Sequence, residues 1–127
     1  MLRQAAPFAA VLGAEVLAAA PDEVRLQLEW TPERTTVGGG MHGGALMALA
    51  DMAGAICAFL NLPDGATGTT TIESKTNFLR ALRGGHVEAT ARPLHIGRTT
   101  AVVDTELRDA DGRLVARTTQ TQVVLRD

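Results

Sequence analysis

The sequence predicts an α+β fold in which an antiparallel sheet of about five to six strands curls around one long helix. Three observations carry this. The run from His42 to Leu60 is almost wholly apolar, with Asp51 its only charged side chain, which is the composition of a helix enclosed by the rest of its domain. Val24, Leu26, Leu28 and Trp30 alternate with Glu23, Arg25, Gln27 and Glu29, and more such runs follow the helix, as in strands with one buried face. Finally, one helix cannot cover both faces of a parallel sheet, and Asp109-Ala110-Asp111-Gly112 joins the last two runs as a hairpin turn.

Taken in order, Pro7 to Leu12 reads as a short helix with proline in its first turn, ended by Gly13. Glu15 to Ala20 reads as a first strand and Pro21-Asp22 as its turn into the second. Thr31 to Gly40 is a loop closing on Gly38-Gly39-Gly40, and Asn61-Leu62-Pro63-Asp64-Gly65 stops the long helix. Thr67 to Leu79 is a threonine-rich strand, with Ile72 and Phe78 in one register and Glu73, Lys75 and Asn77 in the other. His86 to Ile96 is a strand whose Pro93 implies an edge or a bulge. Thr99 to Arg108 and Leu114 to Arg126 complete the sheet.

Length sets residues 1–127 as a single domain with room for one core. A net charge of −2 without blocks of like charge points away from nucleic acid and anionic membranes. The long helix could span a bilayer, but a central Asp costs roughly 2.5–3.5 kcal/mol there. The N-terminal residues lack the form of a signal peptide, since Pro7 interrupts any apolar core. Cys57 is the single cysteine, so no internal disulfide forms and a cytoplasmic location is expected. Its place in the apolar helix marks it as a packed thiol.

Gly38, Gly40 and Gly43 spell a literal GxGxxG, but a proline-containing loop precedes it and hairpins follow, so a dinucleotide fold is not expected. What remains is physical. Glycine backbone admits close approach of a ligand, and the helix start offers N–H groups to negative charge. The N–H of Gly43 or Gly44 can stabilise a developing oxyanion, and Asp51 can act as nucleophile or general base. The two lie eight residues apart, about 12 Å along a helix, too far to serve one carbonyl from one chain. Two antiparallel copies bring one helix start to the middle of the other. His42 precedes the first turn and reads as an orienting residue rather than a base. His86 and His95 have no carboxylate or cysteine at ligand spacing, so no metal site is assembled.

His42-Gly43-Gly44 followed by an acidic residue nine positions after the histidine resembles the hotdog-fold acyl-CoA thioesterases, and within them the PaaI type of phenylacetyl-CoA and 4-hydroxybenzoyl-CoA thioesterases. Asn77-Phe78-Leu79-Arg80 falls where that subgroup has Phe-Leu-Arg-Pro, and Gly97-Arg98-Thr99 and Leu114-Val115-Ala116 follow in family order. The resemblance implies a hotdog fold and assigns Asp51 as the catalytic carboxylate. It further implies that the Gly43 N–H polarises the thioester carbonyl and that Thr71 assists the water or carboxylate. His42, Gly44, Thr36, Arg80 and Arg98 are the implied substrate and coenzyme A contacts, the two arginines toward phosphates. Thr36 departs from the family, which often has asparagine six positions before the histidine; Ala81 replaces the usual proline.

The expected function is hydrolysis of an acyl-CoA thioester at a site shared between subunits of a homodimer or homotetramer. No cofactor is expected, coenzyme A being part of the substrate. The rival readings are a non-catalytic acyl-CoA-binding module, against which Asp51 argues, and a hydroxyacyl dehydratase, which needs its histidine and acid placed differently.

Overall fold

A computed structural model describes residues 2–127. The elements run α1 (Leu2–Ala5), α2 (Pro7–Leu12), β1 (Glu15–Ala20), β2 (Glu23–Glu29), α3 (Gly43–Leu60), β3 (Gly68–Phe78), β4 (His86–Ile96), β5 (Thr100–Asp109) and β6 (Leu114–Leu125). The six strands form one antiparallel sheet in the order β1-β2-β4-β5-β6-β3, and α3 touches all of them. This is the α+β hotdog fold. The short α1 and a 3₁₀ turn at Pro32–Arg34 are not legible from periodicity, since neither is long enough for an apolar pattern to recur.

Local chemistry fixes the ends of α3. His42 caps the start, its Nδ1 accepting the N–H of Gly44 at 2.8 Å. At the other end Asn61 Nδ2 donates to Cys57 O at 2.8 Å and to Pro21 O at 2.7 Å, which satisfies a terminal carbonyl and ties the helix to the β1–β2 turn. The β5–β6 hairpin is held by Asp109, whose carboxylate accepts the N–H groups of Asp111 and Arg113. Those contacts, the Arg113 N–H foremost, hold its carboxyl below the ordinary range. Gly112 supplies the positive φ of +81°. Pro93 satisfies both halves of its expectation. It lies beyond Ala91, the last partner of β2, and the β4–β5 register shifts between Pro93 and His95.

The core forms where β2, β4 and β5 press Val24, Leu26, Leu28, Val87, Ala89, Val103 and Leu107 on Leu46, Leu49, Ala50, Ala53 and Cys57 of α3. Burying each Leu side chain contributes roughly 1.5–3 kcal/mol. Across β6 and β3 the inner face turns polar: Thr118, Gln120 and Gln122 are fully buried there, and Thr76 Oγ1 bonds Thr118 Oγ1 at 2.7 Å.

Two expectations change. The alternation that put Ile72 with Phe78 breaks at a β-bulge between Thr71 and Glu73, which leaves Ile72 59% exposed. Gln120 and Gln122, two apart on β6, face Ser74 and Thr71, three apart on β3; the extra residue keeps both inward-facing. Nor is α3 enclosed. Only 39% of it is buried, because the sheet wraps one side and leaves Gly44, Met47, Ala48, Asp51 and Ala55 at least partly open. By length and composition it is the one helix among the described residues that could cross a membrane, but its apolar surface is accounted for in part by the core.

Gly54 faces β6, and a methyl placed there would overlap the Gln120 amide. Gly54→Ala is expected to destabilise the protein by about 1–3 kcal/mol through overpacking, read as a lower midpoint in urea. Cys57 is fully buried, and burial first, then the charge of Asp22, pushes its thiol up to about 11. At pH 8 the thiolate is therefore on the order of one part in a thousand. Labelling by a thiol-specific reagent is expected to be slow in buffer and fast in urea.

Candidate functional site

The loop before α3 is built to present the helix start. Arg34 Nε donates to Leu12 O at 2.8 Å and its Nη1 to Glu29 O at 3.0 Å, while its own carbonyl accepts His42 N–H at 2.7 Å. One residue thus joins the end of α2 and the end of β2 through its side chain and the capping residue through its carbonyl. Trp30 Nε1 donates to Gly39 O at 3.1 Å, and Gly38 and Gly39 turn the loop at φ +91° and +85°, a conformation that favours glycine. A 3₁₀ turn, not a strand, precedes these glycines, so the GxGxxG does not have a dinucleotide setting.

The cap then sorts the free N–H groups. Ala45 and Leu46 N–H donate to His42 O at 2.9 and 3.2 Å, and Gly44 N–H goes to His42 Nδ1. Among the described residues nothing accepts the N–H of Gly43. Of the two glycines singled out from sequence, one therefore carries the open donor and the other is spent on the cap. With its lone pair at Nδ1 engaged, the His42 ring carries its proton on Nε2. Phe78 lies over Gly43: a Cβ there would sit 3.0 Å from the ring edge.

Asp51 projects from the middle of α3 toward the polar end of the sheet. Its Oδ1 accepts Thr71 Oγ1–H at 2.7 Å and Gln120 Nε2–H at 3.2 Å. Thr71 in turn accepts from Gln122 Nε2. Oδ2 has no donor among the described residues. A half-buried carboxylate thus has one oxygen anchored and the other open, the condition for attacking a carbon or taking a proton.

All of the sequence-derived residues but Arg98 fall into three groups. Asp51 and Thr71 are in direct contact. Gly43, Thr36 and Arg80 share a cleft of about 380 Å³ with Phe78, so the structure brings the open N–H and one arginine together. His42 and Gly44 line a different groove of about 600 Å³, walled by Phe8 and Val11 of α2 and by Ala45 and Ala48. Arg98 lies at the β4–β5 turn and lines neither; its carbonyl accepts from Arg126 Nη1 at 2.6 Å. No three His, Cys, Asp or Glu side chains converge as a metal site among the described residues. Sequence reasoning missed Arg34, Gln120 and Gln122. The available signal for the glutamines was their period of two with Thr118 in β6, which places amides in an inward register.

Residues 38–116 match the model of the thioesterase superfamily. A Pseudomonas aeruginosa thioesterase is 39% identical over 89 residues, covering 68% of this chain and 61% of that one. The 1,4-dihydroxy-2-naphthoyl-CoA hydrolase of Escherichia coli is 32% identical over 87 residues, 68% of this chain and 63% of that one. Both alignments therefore span about three fifths of the relative's own length. The solved structure of an esterase candidate from Mycobacterium tuberculosis superposes with a TM-score of 0.91 at 30% identity, covering 95% of this chain and 98% of that one.

His42→Ala is expected to cost about 1 kcal/mol by removing the N-cap. His42→Asn, which supplies a side-chain oxygen to the same N–H, should recover most of it; both are read from urea midpoints.

Proposed function

The chain belongs to the thioesterase superfamily, and from that premise we propose that it hydrolyses an acyl-CoA thioester to free acid and coenzyme A. The observation that carries this is the pair of unspent groups on α3, the N–H of Gly43 and Oδ2 of Asp51. The thioester carbonyl oxygen sits against the Gly43 N–H, where the helix start favours the negative charge that grows during attack. Asp51 Oδ2 either adds to the carbonyl carbon, giving an anhydride that water then opens, or takes a proton from water as its oxygen adds. In both routes the carbon–sulfur bond breaks and the coenzyme A sulfur leaves with the electron pair. Thr71 anchors the other carboxylate oxygen. Arg80, in the cleft beside Gly43, is the arginine placed to meet the coenzyme A phosphates; Arg98, at the β4–β5 turn, lies outside that cleft.

Eight residues of helix separate the two groups by about 12 Å, so each site takes Gly43 from one copy and Asp51 from another. The open face of α3 and the unpaired edge of β3, with Ile72 exposed, support such a pairing, because a free strand edge is a ready template for a second chain. An aryl acyl group is favoured by family analogy alone, through the resemblance to the PaaI type and the likeness to a hydrolase that acts on a naphthoyl-CoA.

The test is release of free thiol from acetyl-, hexanoyl-, benzoyl- and phenylacetyl-CoA. Asp51→Asn is expected to lower kcat by about a hundredfold or more. Gly43→Pro removes the N–H at the first helical position, where proline is favoured and the ψ of 133° at His42 suits it, and its ring displaces Phe78, whose edge a Cβ at Gly43 meets at 3.0 Å. Each variant alone is inactive, yet unfolding and refolding them together should restore about a quarter of wild-type activity, since half the dimers are hybrids with one complete site. Binding without cleavage by the wild type would mean an acyl-CoA-binding module instead. No recovery on mixing would place both groups in one chain.

A further inference from the structure

Both buried glutamines of β6 reach toward Asp51. Gln120 and Gln122 are fully buried, and each presents its Nε2 end to the site: Gln120 to Asp51 Oδ1 at 3.2 Å, Gln122 to Thr71 Oγ1. Neither Oε1 finds a donor among the described residues. A buried amide oxygen left unpaired carries a cost, and such groups ask for an explanation. Both amides accept that cost at the oxygen end while using the nitrogen end around one carboxylate.

We infer that Gln122 and Gln120 are positioning residues of the proposed reaction, which together hold Asp51 Oδ1 and leave Oδ2 directed at the substrate. The inference rests on the thioesterase reading above. A hydroxyl has one proton to give and lone pairs to receive. Because Gln122 donates to Thr71 Oγ1, the Thr71 proton is left for Asp51, and the bond at 2.7 Å follows. Reversing the Gln122 contact would turn that proton toward β6 and release the carboxylate. Gln120 acts directly, as the second donor on the same oxygen. The bulge at Ile72 brings Thr71 into line with Gln122, and the missing side chain at Gly54 makes room for Gln120. A carboxylate gripped at one oxygen is pre-organised, so it does not have to be ordered when the substrate arrives.

The experiment is a double-mutant cycle on kcat and KM with the acyl-CoA that the wild type cleaves fastest, alongside thermal unfolding of every variant. Gln122→Met is expected to lower kcat about three- to tenfold with KM changed less than about twofold. In a Thr71→Val background the same substitution should change kcat by less than about 1.5-fold, because its effect passes through the Thr71 hydroxyl. Gln120→Met should lower kcat in both backgrounds. Gln122→Glu keeps the size of the side chain if the methionine variant does not fold. Protonated, it donates to Thr71 as the amide does; ionised, it accepts and draws the Thr71 proton away. Its kcat relative to wild type should therefore fall as pH rises across roughly 4 to 8. Equal losses from Gln122→Met in both backgrounds, a loss confined to KM, or a flat pH ratio for Gln122→Glu would overturn the inference and leave the thioesterase reading standing. A wild type that cleaves none of the thioesters overturns both.

Discussion

A carboxylate placed alone in an apolar helix has to be answered by whatever packs against that helix, and much of this structure is the answer to Asp51. Burying such a group without partners costs several kcal/mol. Here the donors come from the two strands at one side of the sheet, Thr71 on β3 and Gln120 on β6. That requirement explains why the inner face changes character across the sheet. It is apolar under β2 and β4 and, but for Thr105, under β5, and it is amide- and hydroxyl-lined under β6 and β3. It also explains Gly54, one turn beyond Asp51, where any larger residue would occupy the place of the Gln120 amide.

The start of α3 shows the same economy with backbone donors. A helix begins with N–H groups that have no partner within it. Of the four at the start of α3, His42 N–H goes to the Arg34 carbonyl, Gly44 N–H to the His42 ring and Ala45 N–H to the His42 carbonyl, and Gly43 keeps the remaining one. An anion-seeking helix start is usually a diffuse feature. The cap turns this one into a single directed donor, held in place through Arg34 by α2 and β2.

Much of this was legible in the sequence because it depends on short-range patterns. The alternation in β2, the unbroken apolar run of α3 and the Asp109–Gly112 turn each require only neighbouring residues to be read. The isolation of Asp51 and the eight-residue gap to Gly43 are equally local. The supporting residues were hidden for the opposite reason. Gln120 and Gln122 are polar residues in a strand, which ordinarily face water; their period of two puts them on one face with Thr118, but the groups they meet there, Asp51 and Thr71, are set from across the fold. Ile72 follows the alternation of its neighbours on paper, and nothing local announces that the strand gains a residue there. Arg34 looks like any loop arginine until its guanidinium is seen to bond two distant carbonyls, Leu12 O and Glu29 O, while its own carbonyl holds His42 N–H. The openness of α3 was hidden too, since composition reports how greasy a helix is and not what covers it.

β3 carries a further consequence. Its first half places Thr71 against Asp51, and its last residue places Phe78 over Gly43. In the two-copy arrangement proposed above, those groups belong to different sites. A single strand then underlies the carboxylate of one site and the oxyanion end of the other, with the bulge at Ile72 setting the phase between them.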